Sequence, residues 1–412
     1  MRRHPAARRT PPPPRRKPRP AKPSSSVSPT VLVRVFVCRL RQPELWRRSA
    51  RNTSAVAPAA AFVAPRQVMR HSTRAGRDVK LAAHHAEAAT RQQRRPETPS
   101  LPKVLMSKPI EIRMGGYGPA STCFSKALKL IGDRVEARFG DAVKVRYVWN
   151  IMDLGYKAED ILWLVESGVL SVGYQSSSYL TDRVPELGVV DLPFVFSRNE
   201  EARGAMDGAL GAWLAQKIEE KVDYRILGWF ENGFRQISNR LRPVRTAADL
   251  AGMSIRTLPS EVQARTFALL GATPLRLDLT EAIARIKAGT LDAQENPLAN
   301  TVTYRVHEFH PFHTITNHFY VSRPVFFCRA QYDAWPTDLQ QKMREAVAEA
   351  VAAQRVMTGE EDDDARKAIA SSGAELITPT AAEHATFVDA VAPLLADARD
   401  TYGAEAMRLV GR

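Results

Sequence analysis

The sequence is poor in cysteine and contains no long apolar run. Its 412 residues include three cysteines, Cys38, Cys123 and Cys328. Three widely spaced thiols cannot form the disulfide framework of a small secreted scaffold, and no CxxC pair offers a zinc or redox motif. A single Cys123–Cys328 bridge stays open beside the plainer reading of buried free thiols. No stretch approaches the roughly 18 apolar residues that cross a bilayer as a helix. Phosphate-binding glycine patterns are also missing. Gly115-Gly116-Tyr117-Gly118 lies between a strand-like and a helix-like run but matches neither GxGxxG nor GxxxxGK(S/T). There is no GxSxG nucleophile elbow. No cofactor is therefore expected.

Acidic residues are scarce in one part of the chain only. The net charge of +15 suggests a nucleic-acid partner, yet residues 1–107 hold 24 Lys and Arg against 4 Asp and Glu, or +20. The remaining 305 residues carry −5, so a whole-chain charge argument for nucleic-acid binding fails and no nucleic-acid partner is expected, a binder using residues 1–107 being the rival reading. The basic segment also holds 15 of the 28 prolines and no sustained hydrophobic period. It cannot bury enough apolar surface to offset its ordering entropy, so residues 1–107 are expected to be a disordered Pro/Arg-rich extension. Ser54 to Ala64, Ala-rich and preceded by Arg47, Arg48 and Arg51, has the outline of a degraded secretory signal. A misplaced start, with Met69 or Met106 as the true first residue, is the other reading of this extension, and a functional basic tail a third.

From residue 108 the texture is that of an α/β protein. Ile110, Ile112 and Met114 alternate with polar residues as in a half-buried strand. Phe124, Leu128, Ile131, Val135 and Phe139 recur at helical spacing within Ser121 to Phe139. Further strands are expected at Val143 to Trp149, Val169 to Tyr174, Arg225 to Trp229, Phe234 to Ser238, Ser254 to Thr257 and Tyr320 to Phe327. Helices are expected at Glu159 to Ser167, Ser260 to Leu270 and Thr280 to Ala288, the last capped by Thr280. From Thr337 onward the pattern is helical, over Leu339 to Met357, Glu360 to Ala370 and Ala381 to Tyr402. Strands alternating with helices imply parallel units, and the whole reads as two α/β lobes with a helical C-terminal segment. In such sheets ligands bind beyond the carboxyl ends of strands, so the loops there are where function is sought.

Several residues stand out chemically. Arg235 and Arg256 each lie in a short apolar strand, where a guanidinium is placed either to grip a carboxylate bidentately or to complete a structural ion pair. Thr290 to Pro297 crowds polar groups after Gly289, and Asn296 there could offer a donor and an acceptor to a ligand; a plain polar loop with an Asx turn is the alternative. His307, His310, His313 and His318 suggest a metal, but no Cys or carboxylate completes a ligand spacing. Glu360 to Asp364 lacks the glycine and closing Glu of an EF-hand loop and reads as a solvated helix face.

Seven ordered blocks add a resemblance covering nearly all of 108–412. Asp191-Leu192-Pro193-Phe194-Val195-Phe196, Asn232-Gly233-Phe234-Arg235 with Ser238-Asn239, Thr246 to Arg256, Leu270-Gly271-Ala272-Thr273-Pro274, Gln294-Glu295-Asn296-Pro297, Thr316-Asn317-His318 and Trp335-Pro336 with Asp338-Leu339-Gln340 follow one another. Together they resemble the dicarboxylate-binding (DctP-type) solute-binding proteins of tripartite ATP-independent periplasmic (TRAP) transporters. The resemblance implies a two-lobed periplasmic-binding-protein-like fold with a hinge and a ligand cleft. It places lobe I at about 108–231 with later returning segments, and lobe II at about 232–320 with the C-terminal helices. It implies that Arg256 pairs with the carboxylate of a small organic acid, with Asn296 as polar partner and Arg235 as a second cationic contact. Tyr174, Gln175 and Ser176 fall where the first lobe touches ligand, and Leu279 where some members set an aromatic against it. It further implies a periplasmic location, TRAP permease subunits as partners, no catalytic residues and no metal. Ala293 departs from the glycine usual before Gln294. An enzyme or a ligand sensor on the same scaffold is the alternative function.

Overall fold

The structure is a computed structural model, and it describes residues 108–412. The expectations for residues 1–107, including disorder and an export signal, lie outside the described residues. The strands in chain order are β1 Ile110–Gly115, β2 Val143–Val148, β3 Val172–Tyr174, β4 Tyr224–Phe234, β5 Gln236–Asn239, β6 Ser254–Thr257, β7 Thr273–Arg276, β8 Ala293–Asn296, β9 Phe312–Thr314, β10 Tyr320–Cys328 and β11 Glu375–Ile377. The helices are α1 Cys123–Phe139, α2 Ile161–Glu166, α3 Asn199–Asp207, α4 Ala209–Lys221, α5 Glu261–Leu269, α6 Leu279–Lys287, α7 Leu298–Thr303, α8 Arg329–Ala334, α9 Thr337–Ser371, α10 Ala381–Ala390 and α11 Ala392–Leu409.

Two sheets form. The first runs β2-β1-β3-β10-β4 and the second β11-β9-β5-β8-β6-β7. Each is mixed. β1 pairs parallel with β2 and β3, and β6 with β7 and β8, as the alternating pattern predicts. β10 runs antiparallel to both β3 and β4, and β5 antiparallel to β8 and β9. Ile112 and Met114 of β1 and Phe124, Leu128, Ile131 and Val135 of α1 are buried in one core, so the two periodicities meet on the same side of the first sheet. The α1 helix starts at Thr122, whose hydroxyl accepts from the Ser125 N–H at 3.3 Å, and stops at Gly140, which takes φ +53°.

The two sheets are joined by the chain itself. β4 and β5 are the two strands expected here, but β4 extends to eleven residues, beyond the expected Trp229, and it leads through Arg235 directly into β5 of the second sheet. β10 returns from the second sheet to the first, antiparallel to β4. Opposite the step from Val321 to Ser322 the register shifts, because Val321 faces Gly233 and Ser322 faces Glu231. Asn232 is thus the extra residue of a bulge, which re-aims its side chain. Gln354 of α9 replaces the lost ladder bonds: its Oε1 accepts from the Glu231 N–H at 2.9 Å and its Nε2 donates to the Glu231 carbonyl at 2.8 Å.

The C-terminal helices depart from expectation. Gly359 does not interrupt them, and α9 runs unbroken for 35 residues, roughly 50 Å. A helix-interior glycine costs about 1 kcal/mol, and buried positions on both sides outweigh it. Leu339, Met343, Val347 and Val351 pack into the core of the first sheet, whereas Ala365 and Ile369 pack with Leu298 of α7. The C-terminal helices were expected with the second lobe, and later segments were expected to return to the first. In the structure α9 spans both, Phe387 of α10 joins the second core, and Leu394, Ala398 and Met407 of α11 pack in the first. The acidic run Glu360–Asp364 lies within α9, and Glu361 is not merely solvated: its carboxylate accepts from the Cys123 N–H, at the positive end of α1, at 2.6 Å. Cys123 and Cys328 are both buried and free.

Candidate ligand-binding site

A small cavity lies among residues of both sheets. Its walls include Arg256 of β6 and Leu258 just after it, Asn296 at the end of β8, Leu279 at the start of α6, and Gln175, Ser176 and Tyr179 just beyond β3. The carboxyl ends of β3, β6 and β8 therefore meet there, as expected for ligand sites in α/β sheets.

Arg256 is 2 % exposed and lies in no ion pair among the described residues. Its Nε–H donates to the Leu277 carbonyl at 3.0 Å, and an Nη2–H to the Tyr179 hydroxyl at 3.0 Å. Both Nη1 hydrogens and one on Nη2 remain, which is the pair of parallel donors a carboxylate accepts. Tyr179 is itself fixed from the other side. Its oxygen also accepts from the Leu279 N–H, the first of α6, at 3.1 Å. The Asp278 carboxylate caps that helix through the Thr280 N–H at 2.8 Å, so Asp278 and not Thr280 is the cap. Burial pushes the Tyr179 phenol up, so it stays protonated with a hydrogen left to donate.

Arg235 also borders the cavity, but its charge is already matched. Its Nε and Nη2 grip the Glu295 carboxylate, with Nη2 to Oε1 at 2.9 Å and Nη2 to the Glu295 carbonyl at 2.7 Å. Both residues are almost fully buried. Burial pushes the Glu295 carboxyl up, but Arg235 and His318 prevail and hold it below the usual range. The resemblance implied a second cationic contact; the structure puts Arg235 at the cavity as one half of an internal pair, which leaves its Nη1 without a partner among the described residues.

Thr290 to Pro297 is not simply a polar loop. β8 is central in the second sheet and wholly buried, and its polar side chains are individually matched. Gln294 Nε2 donates to Thr301 at 3.2 Å, Glu295 takes Arg235, and Asn296 Oδ1 accepts from Asn300 Nδ2 at 3.1 Å. The turn is made earlier, by Gly289 at φ +68°, so Ala293 needs no positive φ where glycine is usual. Gln175 and Ser176 border the cavity, although the Gln175 amide is engaged by the Ala158 carbonyl and the Ser176 N–H, each at 2.8 Å. Tyr174 does not reach the cavity. Its ring packs against Tyr117, Phe124 and Phe230 at centroid distances of 5.3, 5.2 and 5.9 Å, and so supports Tyr117, which does.

Sequence reasoning missed Tyr117, Tyr179, Asn232, Asn300, Tyr304 and Arg323. Tyr117 belongs to the glycine-rich turn considered only for phosphate. Gly116 beside it has no room for a side chain: a Cβ would stand 2.7 Å from the Tyr174 hydroxyl and 2.9 Å from the Trp149 carbonyl. Arg323 had the same signal that marked Arg235 and Arg256, an arginine inside an apolar strand. The histidines do not assemble a metal site; among the described residues no cluster of three or more His, Cys, Asp or Glu is placed to hold one. His310 and His313 are buried, and burial pushes them down to about 3 and about 4.

Comparisons with known proteins bear on the family and the fold. The family model for bacterial extracellular solute-binding protein, family 7 (DctP), matches residues 114–401. A solute-binding protein of Verminephrobacter eiseniae is 28 % identical over 284 residues, 69 % of this chain and 83 % of that protein. The 2,3-diketo-L-gulonate-binding periplasmic protein YiaO of Escherichia coli is 28 % identical over 61 % of this chain and 76 % of its own. Among solved structures, the sugar acid binding protein of Advenella mimigardefordensis in complex with galactonate superposes with TM-score 0.70 at 26 % identity, covering 74 % of this chain and 97 % of that one. A TRAP periplasmic solute-binding protein of Sulfurospirillum deleyianum with bound succinate gives TM-score 0.69 at 25 % identity, covering 74 % and 99 %.

Proposed function

The chain belongs to family 7 of the bacterial extracellular solute-binding proteins, the TRAP-transporter type, and on that footing we propose that Arg256 is the clamp by which it captures a small organic acid. The observation that carries this reading is a deeply buried guanidinium with two parallel donors free and no carboxylate of its own, in a cavity lined from both sheets. A buried charge without a partner is costly, and a ligand carboxylate supplies the missing partner where the low dielectric strengthens the contact. Relatives bound to galactonate, D-erythronate and succinate carry acids of this kind.

Asn296 and the Tyr179 hydroxyl complete the grip in this reading, and Gln175, Ser176 and Leu279 bound the rest of the ligand. The two sheets, joined by β4–β5 and β10, act as lobes that close over it. Ligand favours the closed form only through contacts made to both lobes at once. The loaded protein then docks on TRAP permease subunits at the membrane from a periplasmic location. No bond in the ligand is made or broken.

A thermal-shift screen tests this, because a ligand that binds only the folded state raises its melting temperature. Organic acids are expected to raise it and the corresponding neutral sugars and amides are not. Equal shifts with acids and with their neutral counterparts would sink the carboxylate reading.

A further inference from the structure

The first turn of α6 touches the opposite lobe at three consecutive residues. In the chain α6 joins β7 to β8 of the second sheet, and Ala282 and Ile286 bury its inner face with Leu291. Its N-terminal end meets the first lobe. Leu279 is buried in the core of the first sheet, and its N–H donates to the Tyr179 hydroxyl of that lobe at 3.1 Å. The Thr280 hydroxyl accepts from the Ala158 N–H at 3.2 Å, and Asp278 Oδ2 accepts from the Glu159 N–H at 3.0 Å.

Ala158 and Glu159 open the helical turn Ala158–Asp160, which runs into α2 of the first lobe. The first N–H groups of a helix find no acceptor within it. These two find theirs on the second lobe. Asp278 thereby caps two helical starts at once: its Oδ1 takes the Thr280 N–H of its own helix at 2.8 Å, and its Oδ2 takes Glu159. It is 6 % exposed and stands in no ion pair among the described residues, since Lys157 beside it pairs with Glu159 at 3.1 Å. Its charge is met by the positive ends of two helical segments, one from each lobe. When the lobes part, Asp278 loses one of them. The contact is joined to the cavity. The Ala158 carbonyl accepts from Gln175 at 2.8 Å, and Tyr179 accepts from Arg256 at 3.0 Å; Gln175, Tyr179 and Arg256 are cavity walls, whereas Asp278 is not.

We propose that the first turn of α6 is a latch between the lobes, and that Asp278 is a positioning residue that sets ligand affinity without touching the ligand. This rests on the ligand-capture reading for its consequence, and on the contacts alone for the latch. The latch favours the closed form whatever the ligand is. Apparent affinity scales with the fraction of protein in the binding-competent form, so weakening the latch weakens binding. The loss falls mainly on dissociation, because a bound ligand leaves only after the latch opens.

Asp278→Asn separates latch from cap. Asparagine caps a helix about as well as aspartate, so α6 keeps its start and the melting temperature should hold. Its amide then turns a donor toward the Glu159 N–H, and the bond between the lobes is lost. Thr280→Val removes the acceptor of Ala158 from the same turn. Hydrogen exchange of the full unliganded chain, read by mass spectrometry over Ala158 and Glu159 with α1 as reference, should be at least about threefold faster in both variants than in the wild type. Calorimetry and stopped-flow mixing with succinate and galactonate should show Asp278→Asn binding whichever acid the wild type binds about three- to tenfold more weakly, mostly through faster release. Exchange over Ala158 and Glu159 equal to wild type in Asp278→Asn would overturn the latch. So would unchanged affinity, which would leave the Arg256 clamp standing. Failure of both acids to bind the wild type would count against the carboxylate reading and leave the exchange comparison to decide the latch.

Discussion

Replacing Arg256 with alanine removes the cation and both of its free donors from the cavity while leaving the surrounding strands in place. Two charge-assisted hydrogen bonds to a carboxylate are lost, and the acid group, if it still enters, is buried opposite nothing. Truncating one member of a buried charge pair costs about 3–5 kcal/mol, which corresponds to at least about a hundredfold in Kd. The unliganded protein should suffer less. It loses the bonds to the Leu277 carbonyl and the Tyr179 hydroxyl, each 3.0 Å long, but it also loses an uncompensated buried charge. These terms oppose, so its stability should change by no more than about 2 kcal/mol. Calorimetric titration with an acid identified by thermal shift, alongside urea unfolding of the unliganded variant, separates the two effects. A loss of affinity below about tenfold in a variant as stable as the wild type would refute the assignment of Arg256 as the clamp. Arg256→Lys should fall between, since it restores the charge without the two parallel donors.

Glu295→Gln tests the opposite role for Arg235. It leaves a guanidinium buried without its counter-charge and should lower stability by about 3–5 kcal/mol in urea titration. A variant as stable as the wild type would mean that Arg235 is free to serve a ligand after all. A second test concerns pH. Asp191 is fully buried where Ser178 and Gln263 donate to its Oδ1 at 2.7 and 3.1 Å, one residue from each lobe, and its Oδ2 has no partner. Burial pushes its carboxyl up to about 6, against hydrogen bonds from Ser178, Ser260 and Gln263 that pull it down. A raised carboxyl pKa stabilises the fold below the ordinary value near 4, and that contribution is lost as pH rises through about 6. Buried, neutral His310 and His313 act in the other direction, losing stability as pH falls below about 6.5. The clean measurement is therefore the stability of Asp191→Asn relative to wild type at each pH, which should rise by about 3 kcal/mol between pH 4 and pH 7. A difference that stays flat across that window would show that Asp191 is ionised throughout.

Much of the scaffold was readable without coordinates because it depends on local periodicity. The alternation in β1 and the helical spacing in α1 each place one apolar face, and burial follows that face closely. Boundaries failed where tertiary packing overrode local preference. Gly359 stays helical because α9 is pinned by buried residues on both sides of it, and the polar stretch of β8 is a central strand because each of its side chains finds a specific partner far away in sequence.

The division is clearest among the three arginines. Each was visible as a charge inside an apolar strand, and that pattern alone implies a buried guanidinium with some special partner. Which partner is a question of geometry across dozens of residues. Arg235 meets Glu295, 60 positions away, and is neutralised. Arg323 meets Asn232, 91 positions away, only because a bulge in β4 turns that amide toward it. Arg256 meets no carboxylate at all. A guanidinium's role is set by whether an acid lies within a few ångströms, and periodicity along the chain carries no information about that distance. The sequence determines that cations will be buried here; the folded sheets decide which of them is left for a ligand.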